Sequence, residues 1–195
     1  MASRASSDGV YLLWIPLGAA ASVPVAHWSG RAYEAISARR ERRRQQELVH
    51  AALEVAAGGH QFVVEMTPAW GSTHTSAGSV ASGPVAFRFL GRSKFFRYEV
   101  HCWRDGVIPD RDHAVGDPRC VSSDPDVAGR ILDLAAQCPT ARWGRDDFGA
   151  GDMWNSNSLV AWLLSRAGIP MADIHPPQNG TAPGWRAGLV ASGAA

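Results

Sequence analysis

The stretch Gly149-Ala-Gly-Asp-Met-Trp-Asn-Ser-Asn-Ser-Leu-Val-Ala-Trp-Leu-Leu-Ser-Arg-Ala-Gly168 limits the possible fold more than any other part of the chain. Asn155, Ser156, Asn157 and Ser158 are four cap-competent residues in a row, whose side chains accept hydrogen bonds from the first unpaired amides of a helix. Leu159, Val160, Leu163, Leu164 and Ala167 follow at helical spacing, so that face is buried. Gly168 suits the left-handed residue that ends a helix, and Pro170 stops any continuation. A helix needs one cap. The surplus of small polar groups at its positive end is either capping alone or a seat for a nucleophile or an anion.

With 195 residues, 46% hydrophobic and 19% charged, the chain has material for one domain with a real core and too little for two. A formal net charge of +1 gives the whole molecule no pull toward nucleic acid. Cys102, Cys120 and Cys138 are odd in number and widely spaced, which argues against a disulfide framework or zinc site and fits a reducing, cytoplasmic compartment. None opens a helix, where a thiolate would be stabilised, so none is read as catalytic. Val10 to Ala26 is apolar, but at about 17 residues it sits at the lower limit for crossing a bilayer. It is also broken by Pro16, Gly18 and Pro24 and lacks the basic start of a signal peptide. Val10 to Leu17 is therefore read as a buried strand, with a membrane-associated segment as the alternative.

A second informative stretch lies a hundred residues upstream of the Asn/Ser run. Leu48 to Val55 and His60 to Met66 are strand-like and flank Ala56-Ala-Gly-Gly59, which predicts a hairpin. Closure around Ala57-Gly58 sets His50 opposite Glu65. Closure around Gly58-Gly59 moves the partner to Thr67 and leaves Glu65 diagonal on the same face. Either way an imidazole and a carboxylate project together, as a functional pair or as an edge ion pair of no consequence.

The rest reads as a single domain, with a loose terminus at 1–9, a core over 10–175 and a weakly ordered tail over 176–195. Arg31 to Leu48 reads as a helix, and its run Arg39, Arg40, Arg42, Arg43 and Arg44 as a solvated face, because no aromatic residues interleave to stack on bases. Pro68 to Gly83, with Trp70 and His74, reads as a loop. Val85 to Leu90 and Lys94 to Trp103 read as strands, with Phe96, Tyr98, Val100 and Cys102 on one side and His101 on a polar, surface side. Val127 to Gln137 reads as a helix. Dinucleotide, phosphate-loop, HExxH and GxSxG motifs are absent, and Asp146, Asp147 and Asp152 match no calcium loop, so neither cofactor nor metal is expected.

The order of strand His50, carboxylate Glu65 and then a small polar residue opening a late buried helix resembles the circularly permuted papain-like superfamily. This group includes relatives of lecithin–retinol acyltransferase and the NlpC-type cell-wall peptidases. Trp154-Asn-Ser-Asn-Ser158 also looks like the Asn-Ser-Asn-Ser/Thr signature of bacterial families of unknown function related to that group. The resemblance covers about residues 48 to 168 and implies an α+β fold, a curved antiparallel sheet packed on the 156–168 helix. It places the nucleophile on Ser156, a hydroxyl where the family has a thiol, with His50 as base and Glu65 orienting the ring. Trp154, Asn155, Asn157 and Ser158 would bind substrate, and helix-start amides with Asn155 or Asn157 would hold an oxyanion.

Two functions follow as expectations. One is an amide or ester hydrolase, or an acyltransferase, acting on a small-molecule, acyl or peptide substrate. The other is an inactive module of the same fold that binds a peptide or acyl ligand. An adaptor using the Arg39 to Arg44 run for an anionic surface is a third reading. No nucleic-acid or membrane partner is expected, and oligomeric state is left open.

Overall fold

The computed structural model describes residues 8–17, 47–69, 78–108 and 110–194, with the backbone alone at Leu90 and Lys94. They form an α+β structure with one open sheet. Its strands are β1 (Gly9–Pro16), β2 (Glu47–Ala57), β3 (His60–Pro68), β4 (Ser79–Pro84), β5 (Arg97–Arg104), β6 (Arg119–Ser122) and β7 (Gly180–Thr181). Six lie in the order β4-β5-β3-β2-β1-β6, all antiparallel, while β7 runs parallel to the start of β2. The helices are α1 (Pro125–Ala135), α2 (Ser156–Arg166) and α3 (Trp185–Ser192).

Period-2 alternation sorts the strands into two faces. Val49, Ala51, Leu53 and Val55 of β2 join Val64 and Met66 of β3, and Tyr98 and Val100 of β5, in the main core. Ile131 of α1 and Leu159, Leu163 and Leu164 of α2 close that core from the helical side. Leu13, Ile15, Ala52, Val63 and Ile108 make a smaller cluster on the opposite face. Every residue of α2 from Asn157 to Leu164 is buried, so it is a central helix rather than an amphipathic cover. Gly188 lets α3 lie directly on it, since a Cβ there would come within 2.2 Å of the Ser158 carbonyl. Trp185 at the start of α3 stacks against Trp14 of β1 at 5.0 Å between ring centroids.

The β2–β3 turn is Gly58-Gly59, both at positive φ (59° and 78°), and the register pairs Ala57 with His60 and Leu53 with Val64. That is the second of the two closures read from the sequence. Several expectations are corrected. Residues 79–83, read as the end of a loop from Pro68 to Gly83, belong to strand β4 (Ser79–Pro84). Residues 85–90 and 94–96, read as strand, hold two short 3-10 turns, Arg88–Arg92 and Lys94–Phe96, entered through Ala86 at φ 58°. The tail beyond residue 176 is not loose, since it supplies β7 and α3. The expected helix before Glu47 with its arginine run, the apolar segment past Leu17, and Trp70 and His74 lie outside the described residues.

Candidate functional site

The polar run at the start of α2 is largely committed to holding the structure together. Asn155 is the N-cap, its Oδ1 accepting from the Asn157 amide at 2.9 Å and the Ser158 amide at 3.3 Å. Ser158 Oγ returns the bond by accepting from the Asn155 amide at 3.0 Å, completing a capping box. Its single proton has the Gly184 carbonyl at 2.7 Å and the Met153 carbonyl at 3.0 Å as acceptors. Asn155 Nδ2 donates to the Pro183 carbonyl at 2.8 Å. Asp152 then takes the Gly184 amide at 2.8 Å and the Arg186 amide at 3.2 Å, fixing the entry to α3. Trp154 is fully buried beside Phe148, so it is core rather than a binding surface.

Asn157 does something different. Its Oδ1 accepts from the Ala51 amide at 2.7 Å, and its Nδ2 donates to the Val49 carbonyl at 3.2 Å and the Pro183 carbonyl at 2.8 Å. Past the Leu53–Val64 pair β3 leaves β2, and the edge of β2 at 49–51 has lost its strand neighbour. The asparagine amide fills that place with the acceptor and donor that a peptide unit would supply. Asn157 is 2% exposed, so these are buried bonds. Ser156 alone in the run is uncommitted. It is partly exposed, and its hydroxyl makes no hydrogen bond among the described residues.

His50 and Glu65 share a face, as the strand parity requires, but it is the wrong face for the expected triad. Val49 and Ala51 pack toward α2, so His50 between them projects to the other side of the sheet. Glu65, between Val64 and Met66, does the same. His50 thus projects from the face of β2 opposite to the residues packed on α2, and among the described residues no hydrogen bond joins it to Ser156. The bond that a pair of Ser156 as nucleophile and His50 as base, with Glu65 as orienter, requires is not formed. The expectation failed because parity within a hairpin does not say which of its two faces the late helix covers.

What gathers on the second face is a separate polar group. Both His50 and Glu65 lie in the field of Asp110, which precedes the short 3-10 turn Arg111–His113. Burial holds the His50 imidazole below its ordinary value, opposed by the Asp110 carboxylate. Burial, with Asp110 adding to it, pushes the Glu65 carboxyl up to about 7. Glu65 faces His101 across the β3–β5 ladder, and His101 Nε2 lies 3.5 Å from Glu99 Oε2. His101, read as a surface residue, is 1% exposed, with Trp103 edge-on at 4.9 Å. Nearby, buried Glu54 receives Arg111 Nη2 at 3.1 Å. A neutral imidazole and a carboxyl that titrates near neutrality can exchange protons with a ligand or solvent.

Sequence reasoning missed Asp110, the burial of His101 and the bracing role of Asp152. Among the described residues no cluster of three or more His, Cys, Asp and Glu side chains is arranged to hold a metal ion. Comparison of the chain with protein-family models, with curated proteins and with solved structures finds no match.

Proposed function

We propose that this chain is a binding module for a peptide or acyl ligand and does not run acyl-transfer chemistry at Ser156. The observation that carries this reading is the projection of His50 from the face of β2 opposite to Val49 and Ala51, which pack toward α2. A serine hydroxyl is a weak nucleophile until a base within hydrogen-bond reach takes its proton, and the expected base faces away. The hydrogen bonds of Asn155, Asn157 and Ser158 support it further, because side chains locked into backbone contacts are not free to hold substrate. For the ligand, β4 has a strand neighbour on one side only among the described residues, which suits an extended peptide adding to the sheet.

One observation favours the catalytic alternative, namely the uncommitted Ser156 hydroxyl at the positive end of α2. A fluorophosphonate probe separates the two. The expected result is no labelling of Ser156 under conditions that label an ordinary serine hydrolase, with His50→Ala indistinguishable from the parent. Labelling of Ser156 that disappears in His50→Ala would restore the hydrolase.

A further inference from the structure

Phe87, Phe89, Phe95 and Phe96, four of the chain's six phenylalanines, fall within ten positions of one another. They are 44%, 73%, 62% and 42% exposed. Single exposed apolar residues are ordinary on any surface, but four exposed aromatic residues on and just before one pair of short consecutive turns are not, and clustered exposed apolar surface marks contact sites. Phe87 and Phe89 lie 5.7 Å apart between ring centroids. The turns are anchored from below by backbone bonds from Val85 N to Phe96 O and from Ala86 N to Trp143 O, so the rings are displayed by a fixed frame.

The charge of this stretch of sequence has one sign. Between Val85 and Tyr98 the sequence carries Arg88, Arg92, Lys94 and Arg97 and no acid, against a net charge of only +1 for the whole chain. Arg145 adds its guanidinium over the Phe87 ring at 4.9 Å. In the adjoining loop Asp147 accepts from Arg142 Nε at 2.8 Å and also lies in the field of Arg88, while Asp146 accepts from the Ala150 and Gly151 amides.

We propose that this face docks on an anionic lipid surface, with the phenylalanines entering the acyl boundary and the arginines meeting the headgroup phosphates. A second copy of the chain is disfavoured as occupant because it would bring the same positive charge. Single-stranded nucleic acid is disfavoured because bases need open ring faces, and Arg145 already covers one face of Phe87. Among the described residues no helix is long and apolar enough to cross a membrane, so the contact proposed is peripheral. It does not depend on whether Ser156 reacts.

The test is co-sedimentation of the full chain with phosphatidylcholine vesicles, with and without phosphatidylserine at about three lipids in ten. Binding is expected with phosphatidylserine, at least about tenfold tighter than without it, and weakening as salt rises and screens the charges. Phe89→Ser with Phe95→Ser should lower binding to the anionic vesicles by about tenfold or more, since each ring contributes through apolar transfer. Both side chains are exposed, so an unchanged thermal transition checks the fold. Arg88→Gln with Arg92→Gln should remove the preference for phosphatidylserine. No binding to anionic vesicles, or equal binding by the phenylalanine variant, would overturn the proposal. So would polyglutamate or oligodeoxythymidylate binding through these residues while vesicles do not, or self-association of the protein that Phe89→Ser with Phe95→Ser abolishes.

Discussion

An amide side chain carries a donor and an acceptor in one plane, as a peptide unit does, and Asn157 uses it as a substitute strand residue. Asn157→Ala leaves the Ala51 amide and the Val49 carbonyl buried without their partner, an expected cost of about 2–5 kcal/mol. Asn157→Asp should be no better, because a buried carboxylate would face the Val49 and Pro183 carbonyls. Ser156→Ala should change stability by no more than about 0.5 kcal/mol. Urea titration of the three variants checks the ordering, and a Ser156→Ala as damaging as Asn157→Ala would contradict the division of labour. At this scale the sequence was half legible. The four polar residues announced a helix start and its cap, which is local chemistry. Which of them reached a strand a hundred residues away was not visible, because that depends on where β3 leaves β2.

The elements were legible where their periodicity was long and unambiguous. β1, the β2–β3 hairpin, α1 and α2 all lie where apolar runs, the Gly58-Gly59 turn or helical spacing predicted them. Residues 85–96 misled because Phe87, Phe89, Phe95 and Phe96 carry strand propensity without burial, and propensity counts aromatics whether or not anything covers them. The C-terminal residues misled for the opposite reason. α3 is only eight residues, rich in Ala and Gly, and exists because α2 offers it a surface, not because its own sequence insists on a helix. Gly188 is the key to that contact. Gly188→Ala must push α3 off the Ser158 carbonyl and should cost about 1–3 kcal/mol. Separation of Trp14 from Trp185 should accompany it as a change in tryptophan fluorescence. A variant with native stability and spectrum would mean that the helices have room that the backbone contact denies.

For the molecule as a whole, the sheet divides two environments, a structural one against the helices and a titrating one around Glu65. The Glu65 carboxyl is raised from 4.5 to about 7, so the folded state holds its proton more tightly than the unfolded chain does. The stability it confers is complete below about pH 4.5 and is lost as pH rises through about 7, by at most about 3 kcal/mol and less for a partly exposed group. His50, lowered below 6.5, works the other way: stability falls as pH drops below 6.5. Thermal melts of Glu65→Gln across pH 5 to 8 should lack the loss on the neutral side, and a parallel pair of curves would rule this account out. The plug at the fork of β2 also has a meaning in time. Synthesis proceeds from the N-terminus, so β1 through β5 emerge well before Asn157 does, and the backbone of Val49 to Ala51 stays unsealed in the interval. A chain stalled before Ser156 would carry an open strand edge able to pair with its like, which makes the last forty residues an internal guard against aggregation on the ribosome.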